Sequence, residues 1–510
     1  MRIAKKALLA AALALGLTSC SEQPGGDNGD ATSGAQTVKN LLLICIDTVR
    51  ADTFTAMGEW TNDRLSQWES RGLVYNQAFA PSPWTVPSVA SAFTGLWPNQ
   101  HGAGLIAGFK EITIARTPPN ALLPEARTLA EEARDNGFKT AMISASHWTF
   151  EPNDVDINRG FETYDKWEPT LQTLDASHWE EMIERWKQRN AERGDARSIN
   201  FLHFLEAHNW HFVGDRKLEK RLASFTPEQR ALYRKTAPER ACEDQESMYC
   251  KRYIVYAHAV GVMRDAVAEM LDTLEADGLL QDTAVVLFAD HGEEFNDHGD
   301  DGRLQVFKPP RWPFMGHGGT LYEEQLHVPL IVWHPDLGSE VIDNPVSLID
   351  IGPSAASWLG LEFNPAGSEA RMLHEQLARF GEPDERPLYA SHVADGEKQV
   401  STRLGKTKSI WYLPSDRTLF YDLATDPDEL APSQQGTQVM LFDRFYLEYE
   451  EMKASEQARA ASFTEEQLKG LQAIGYLQGV DSTEELESNA KPEQSPLFEH
   501  TPEPEQAEQP

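Results

Sequence analysis

The 510-residue sequence predicts an α/β protein, with a mostly parallel sheet sandwiched by helices and a small C-terminal α+β subdomain after it. Three observations carry this expectation. Two apolar runs of strand length each end in an acid: Asn40 to Ile46 runs into Asp47, and Thr283 to Ala289 runs into Asp290. Uninterrupted runs of this kind suit strands buried on both faces of a parallel sheet. Between them, stretches with a helical period alternate with further short apolar runs, as βαβ units require. Beyond about Pro387 the alternation gives way to short strands and turns, such as Thr407–Leu413 and Thr418–Leu423. Ligands of open α/β sheets collect outside the carboxyl ends of the strands, so Asp47 and Asp290 are expected to share one crevice.

The length is enough to bury a large core, and 40% hydrophobic with 25% charged residues is ordinary for a globular chain. A formal net charge of -34 speaks against nucleic acid, or an anionic membrane surface, as a partner bound through bulk electrostatics. An anionic substrate would have to be drawn in by local cations against the overall field.

The elements follow in order. Arg2, Lys5 and Lys6, a short apolar segment from Ala7 to Leu17, and then Thr18-Ser19-Cys20 make residues 1–20 an export signal too short to span a bilayer. The ending resembles a bacterial lipoprotein signal. That resemblance makes Cys20 the lipidated first residue of the mature chain and, with Ser21 after it, implies an outer-membrane anchor; the plainer reading is a cleaved secretory signal. Residues 21–37, rich in Gly, Ser, Asp and Asn, read as a flexible tether. Cys45 lies inside the first strand and reads as a small buried apolar group.

Ser82 to Gly95 places the Thr85 hydroxyl just before a helix that begins at Pro87 and closes at Gly95. Thr128–Asn136 predicts an amphipathic helix, Phe138–Ser144 and Ile199–Leu205 strands, Met248–Leu279 a long helix and Val328–Trp333 another strand. Cys242 and Cys250 share a polar loop with no second metal-ligand pair beside them, so an oxidising compartment would let them form a disulfide. A helix is expected near Phe442–Ala461, and the acidic, proline-rich residues 481–510 read as a disordered tail. The domain boundaries then fall at 38–386 for the main domain and 387–480 for the C-terminal subdomain.

Several short motifs, taken in order, resemble the sulfatases of the alkaline phosphatase superfamily. They are Ile46-Asp47-Thr48-Val49-Arg50-Ala51-Asp52, Thr85-Val86-Pro87-Ser88, Thr94 through Gly102, Asp290-His291-Gly292-Glu293-Glu294, Gly316 through Glu324, Val328-Pro329-Leu330 and Tyr421 through Pro427, together running from about Lys39 to Gln478. The resemblance implies that Asp47, Thr85, Asp290 and His291 form one metal site. Two carboxylates and an imidazole suit zinc or manganese better than calcium, which prefers oxygen cages. A hydroxyl at Thr85 would be made more acidic by such an ion, and the helix amides after it favour anionic oxygens. The resemblance further implies that His208 and His317 hold the ester or protonate its leaving group, and that Ser88 helps to bind it. A second ion on His317 and His208 or a nearby acid stays open, because no Asp-x3-His pair supports it. His101, His211 and His298 read as loop or surface histidines. Asp52 is either a supporting carboxylate of the site or the partner of Arg50. The bland alternatives are a threonine that only caps its helix and acids that only end strands.

The chain departs from the pattern at one decisive place. Sulfatases carry Cys or Ser followed by x-Pro-Ser-Arg, and that residue is oxidised to formylglycine; here Thr85 stands in that position and Val89 in the arginine's. Threonine cannot become formylglycine, whereas relatives with a threonine nucleophile act on phosphodiesters or transfer phosphoglycerol and phosphoethanolamine groups. The implied activity is therefore hydrolysis or transfer of a small-molecule or headgroup phosphate ester or phosphonate. The alternatives are a sulfuric ester hydrolase without formylglycine, and a non-catalytic surface scaffold.

Overall fold

A computed structural model describes residues 37–104, 119–149, 154–166, 177–208, 210, 214–238, 240–298, 315–378, 386–394, 397–413, 417–433 and 464–473. Its centre is an eight-stranded sheet, in the spatial order Glu340–Ile342, Leu73–Tyr75, Leu330–Trp333, Thr283–Phe288, Asn40–Ile46, Ser198–Phe204, Lys139–Ser144 and Thr163–Lys166. The Asn40–Ile46 strand lies in the middle and runs parallel to both neighbours, with Ile46 beside Phe204 and Cys45 between His203 and Phe288. Every residue of these three strands is buried, so helices cover both faces and the sequence can be apolar without alternation. The carboxyl ends of the three strands therefore lie along one edge, and the residues that follow them meet there.

The 29-residue helix Met248–Ala276 forms much of one layer, packed on the helices Ala51–Thr61 and Arg64–Glu69. Its Tyr256 hydroxyl accepts from the Arg50 amide and donates to the Thr48 carbonyl, both at 2.9 Å, which pins the turn after the central strand. Farther along, the buried Arg264 guanidinium reaches Asp63 at 2.6 Å and Glu69 at 2.8 Å, and donates to the Phe54 carbonyl. The short helix Thr85–Thr94 is buried along its whole length. It ends at Gly95, at φ 69°, where a Cβ would lie 2.7 Å from the Pro353 ring; that left-handed cap is open to glycine and little else.

Beyond the main sheet, Leu388–Ala394, Glu397–Leu404, Thr407–Leu413 and Arg417–Asp422 form an antiparallel four-stranded meander. Leu388, Ala390, Ile410, Tyr412, Leu419 and Tyr421 of this meander bury themselves against Phe79, Leu321, Tyr322 and Leu326. The C-terminal sheet thus shares a core with the segment that follows the Asp290 loop.

Two expectations about elements need correction. The run Val328–Trp333 is not one strand, because Pro329 cannot supply a ladder hydrogen bond. His327–Val328 pairs with Ala78–Phe79, and Leu330–Trp333 joins the main sheet antiparallel to Thr283–Phe288. The helix expected to begin at Pro87 begins at Thr85. Proline is tolerated at its third position because the first-turn amides have no partner within the helix anyway. The expected signal, tether, 442–461 helix and acidic tail lie outside the described residues. Among the described residues no helix is long and apolar enough to cross a membrane.

Cys242 and Cys250 are joined in a disulfide, eight residues apart, at the start of the long helix. Closing so short a loop limits what the bond contributes through the unfolded chain to about 2.5 kcal/mol. The Cys242→Ser/Cys250→Ser protein should lose about that much in a urea melt. A loss near zero would show that the reduced loop is already held by its surroundings.

Candidate functional site

At the shared strand edge, Asp47 follows the central strand, and Asp290 and His291 follow the Thr283–Phe288 strand. All three are buried. His291 Nε2 lies 3.7 Å from Asp47 Oδ1, 3.6 Å from Asp290 Oδ2 and 3.5 Å from the Thr85 hydroxyl. Its other nitrogen, Nδ1, is 2.9 Å from the Gly292 carbonyl, which can only accept. Nδ1 therefore carries the ring proton, and in the neutral ring Nε2 turns a lone pair toward two carboxylates. Among the described residues nothing bonds Asp47 Oδ1 or Asp290 Oδ2, although both are buried. The donor atoms of Asp47, Asp290 and His291 all lie within 4.8 Å of one another. Orphaned carboxylate oxygens facing an imidazole nitrogen fit a divalent cation.

The electrostatics agree. Burial pushes the Asp47 carboxyl up, but the contact with His203 and the charges of His208 and His291 hold it well below the usual range. Asp290 is pushed up, first by burial and then by the charge of Asp47 beside it. One acid charged and its neighbour resisting charge is what a like-charged pair does without a counterion. The second Asp290 oxygen is already taken. Oδ1 accepts from the amides of Thr48, at 3.2 Å, and His291, at 3.0 Å. Thr48 can present its amide because it sits at φ 62°, a conformation rare for a branched residue.

Thr85 occupies the first helical position. The cap is Trp84, which makes no side-chain cap hydrogen bond, so the Thr85 hydroxyl is not a cap and points instead at His291.

Two more imidazoles stand close by. The His317 ring centroid is 4.4 Å from that of His291 and 5.0 Å from that of His208. His317 Nδ1 faces the buried Glu293 carboxylate at 3.2 Å, and Glu293 is held in turn by the Trp210 indole at 3.1 Å. A carboxylate partner fixes Nδ1 as the protonated nitrogen, which leaves Nε2 as the atom able to exchange a proton with a ligand.

Other expectations fall elsewhere. The Ser88 hydroxyl donates to the Ser82 carbonyl at 2.8 Å and so closes the turn ahead of the helix. Asp52 pairs with Arg50 at 2.6 Å, which settles that choice in favour of the ion pair. His101 is no loop ornament but a buried post against Ser91, its pKa pushed by burial down to about 3. His298 is buried as well, stacked on Tyr322 at 3.8 Å between centroids, and is not a surface histidine. His211 lies outside the described residues. The Cys45 thiol is buried behind Asp290, and burial pushes its pKa up, so it is a filler and not a reactive thiol.

Three residues of the site had no role in the sequence reading. His203 Nε2 lies 3.1 Å from Asp47 Oδ2, and its Nδ1 is 3.1 Å from the Thr149 hydroxyl. Glu293 orients His317. Arg50 reaches Asp297 at 2.8 Å and the Glu293 carbonyl at 3.0 Å, tying the Asp47 turn to the loop after His291. One signal was present for His203: a single imidazole inside the otherwise apolar run Ser198–Phe204.

Comparison with known proteins agrees with this geometry. The sulfatase family model matches residues 39–361. Mouse arylsulfatase K is 29% identical over 195 residues, which are 35% of this chain and 32% of that protein. Choline-sulfatase of Rhizobium meliloti (strain 1021) is 23% identical over 36% of this chain and 33% of its own length. The chain thus spans about a third of the length of these curated relatives. Among solved structures, the phosphonate monoester hydrolase of Agrobacterium radiobacter superposes with a TM-score of 0.59 at 17% identity, over 82% of this chain and 96% of that one. With a family match over well more than half of the sequence and the alkaline phosphatase-like sheet beneath it, this chain belongs to the sulfatase family.

Proposed function

We propose that the protein is an ester hydrolase or transferase that acts on phosphate mono- or diesters or phosphonates, with Thr85 as its nucleophile. The observation that carries this reading is the uncapped Thr85 hydroxyl, buried at the start of its helix and 3.5 Å from His291. Asp47, Asp290, His291 and Thr85 would hold one divalent cation, and the carboxylate and imidazole donors favour zinc or manganese over calcium. When bound, such an ion acidifies a hydroxyl and balances anionic ester oxygens. In the reaction, Thr85 Oγ1, its proton already given up to solvent, would bond to phosphorus as the ester P–O bond breaks, and the departing alcohol would take a proton from His317 or His208. Water or an acceptor alcohol would then attack the phosphorylated threonine and give a proton to that histidine, and the P–Oγ1 bond would break to leave Thr85 as the oxyanion it began as. Glu293 keeps His317 in the tautomer this needs.

A sulfate ester reading has support of its own, since the curated relatives include proteins named arylsulfatase K and choline-sulfatase. The fold serves proteins of both descriptions, so the choice rests on residue 85. Without formylglycine, a threonine that accepted sulfate would lack the hydrate that expels it. A non-catalytic scaffold would have no reason to keep Asp47, Thr85, Asp290 and His291 converging on one point. Purified protein loaded with zinc or manganese and offered aryl phosphates, phosphodiesters, phosphonates and sulfates should turn over a phosphorus ester with the highest kcat/KM. Sulfate turnover far above all of these defeats the proposal.

The anchor belongs to the same reading. With Cys20 lipidated, the enzyme would sit on the bacterial cell envelope, at the outer membrane, and meet its substrate there. Cys20→Ala should yield protein that is unacylated and either uncleaved or released. Wild-type protein found soluble in the periplasm, with no lipid on its N-terminus, would remove the anchor from the proposal.

A further inference from the structure

A second group of ligating side chains stands apart from the site above and shares no residue with it. Glu294, His298 and Glu324 each offer one donor atom, and these atoms lie within 4.8 Å of one another. Glu294 and His298 are 5% and 3% exposed, and the Glu324 side chain is 7% exposed. Glu294 Oε1, Glu324 Oε1 and both ring nitrogens of His298 are buried with no hydrogen-bond partner among the described residues. The nearest approach among them is 3.4 Å, between His298 Nδ1 and Glu324 Oε1.

Their surroundings hold them in place without satisfying them. The His298 ring is stacked on Tyr322, and its carbonyl accepts from Arg240 at 2.8 Å. Glu294 Oε2 accepts from Gln325 Nε2 at 3.3 Å, which leaves Oε1 turned inward. The backbone fixes the spacing: the Glu293 amide donates to the Glu324 carbonyl at 3.0 Å, and a Cβ on Gly292 would stand 2.0 Å from that same oxygen. The two segments could not be this close with any other residue at 292.

Charge balance then points to an ion. With both buried carboxylates ionised, one imidazole leaves an excess negative charge even when the ring is protonated, and the nearby Arg50 is already engaged by Asp52 and Asp297. Burial and then the charge of Glu324 push the Glu294 carboxyl well up; against burial, His298 is raised to about 9 by the Glu324 charge, and Glu324 is held down by that of His298, a pairing of protons that a cation would replace. A divalent cation with a neutral imidazole brings the group to zero net charge and gives every orphaned donor atom facing it a partner.

We infer that Glu294, His298 and Glu324 form a second metal site, for zinc or manganese, which ties the loop after His291 to the helix Glu323–Leu326. The imidazole disfavours calcium, and three protein ligands leave room for water to complete the shell. This is a different place from His208 and His317, where the sequence left a second ion open. It does not depend on the substrate proposed above.

The test counts ions in the full-length, untagged protein, stripped with chelator, saturated with zinc or manganese and desalted. Elemental analysis should find one equivalent fewer in Glu324→Gln/His298→Asn than in wild type. Asp47→Asn/Asp290→Asn, which leaves the second group intact, should keep one equivalent. An equal count in wild type and Glu324→Gln/His298→Asn overturns the inference. Should that variant not fold, the Asp47→Asn/Asp290→Asn protein decides: one retained equivalent supports the site and none overturns it. Loss of the ion from the Asp47 site alone would count against the proposed catalytic centre and leave this inference standing.

Discussion

Thr85→Ala should cost roughly 10⁴-fold or more in turnover of whichever phosphorus ester the wild type prefers, the scale on which removal of a covalent nucleophile is felt. It should still bind its ion, because Asp47, Asp290 and His291 remain. The competing view, a threonine that merely starts a helix, expects about 1 kcal/mol of lost stability and nearly full activity. The cap position is already filled by Trp84, and the hydroxyl faces His291, so even that small loss is not expected from capping. Thr85→Cys separates the ester classes. It restores a residue type that maturation can oxidise but leaves Val89 in the arginine's place, so neither formylglycine nor sulfatase activity should appear. Steady-state kinetics with metal analysis on the same preparations check all of this. Activity near wild type in Thr85→Ala would sink the mechanism.

What the sequence made legible is the part dictated by local pattern. The runs ending at Asp47 and Asp290 had to be buried parallel strands, and the edge they share follows from the fold class. The supporting residues are a different matter. His203 reaches Asp47 because its strand neighbours the central one in register, Ile46 beside Phe204, and that pairing spans more than 150 residues. Glu293 and Arg50 likewise acquire their roles from contacts that only the folded chain creates. Nothing local distinguishes Glu293, which orients a histidine, from Glu294, which faces another group altogether, because adjacent residues on an extended segment point to opposite sides. Ser88 adds a local contact that its motif did not reveal, a hydroxyl donated to the Ser82 carbonyl. Pro329 was visible in the sequence, yet the pattern of apolar residues on either side of it concealed that they belong to two sheets.

The second large effect is expected at Asp290, and there two substitutions must be told apart. Asp290→Ala removes both carboxylate oxygens at once. Oδ1 satisfies the buried amides of Thr48 and His291, and leaving them unpaired costs about 1–3 kcal/mol of stability. Oδ2 has no hydrogen-bond partner among the described residues and is the oxygen that faces His291. Asp290→Asn should spare the first function, since an amide oxygen still accepts two hydrogen bonds, while giving up the charge that holds the cation. Both variants should therefore lose turnover by roughly 10³-fold or more, the ion having been given a share in acidifying the nucleophile. They should differ in how they melt. Wild type stripped of metal should gain stability when zinc or manganese is returned, by an amount that grows with free ion over its dissociation constant. In Asp290→Asn the metal-free melting temperature should lie close to that of metal-free wild type or above it, because one member of a buried like-charged pair is now neutral. Asp290→Ala should melt lower than either. If Asp290→Asn kept the full activity and the same metal content as wild type, Asp290 would be a strand-ending residue that holds two amides, and the ion would have to be placed elsewhere.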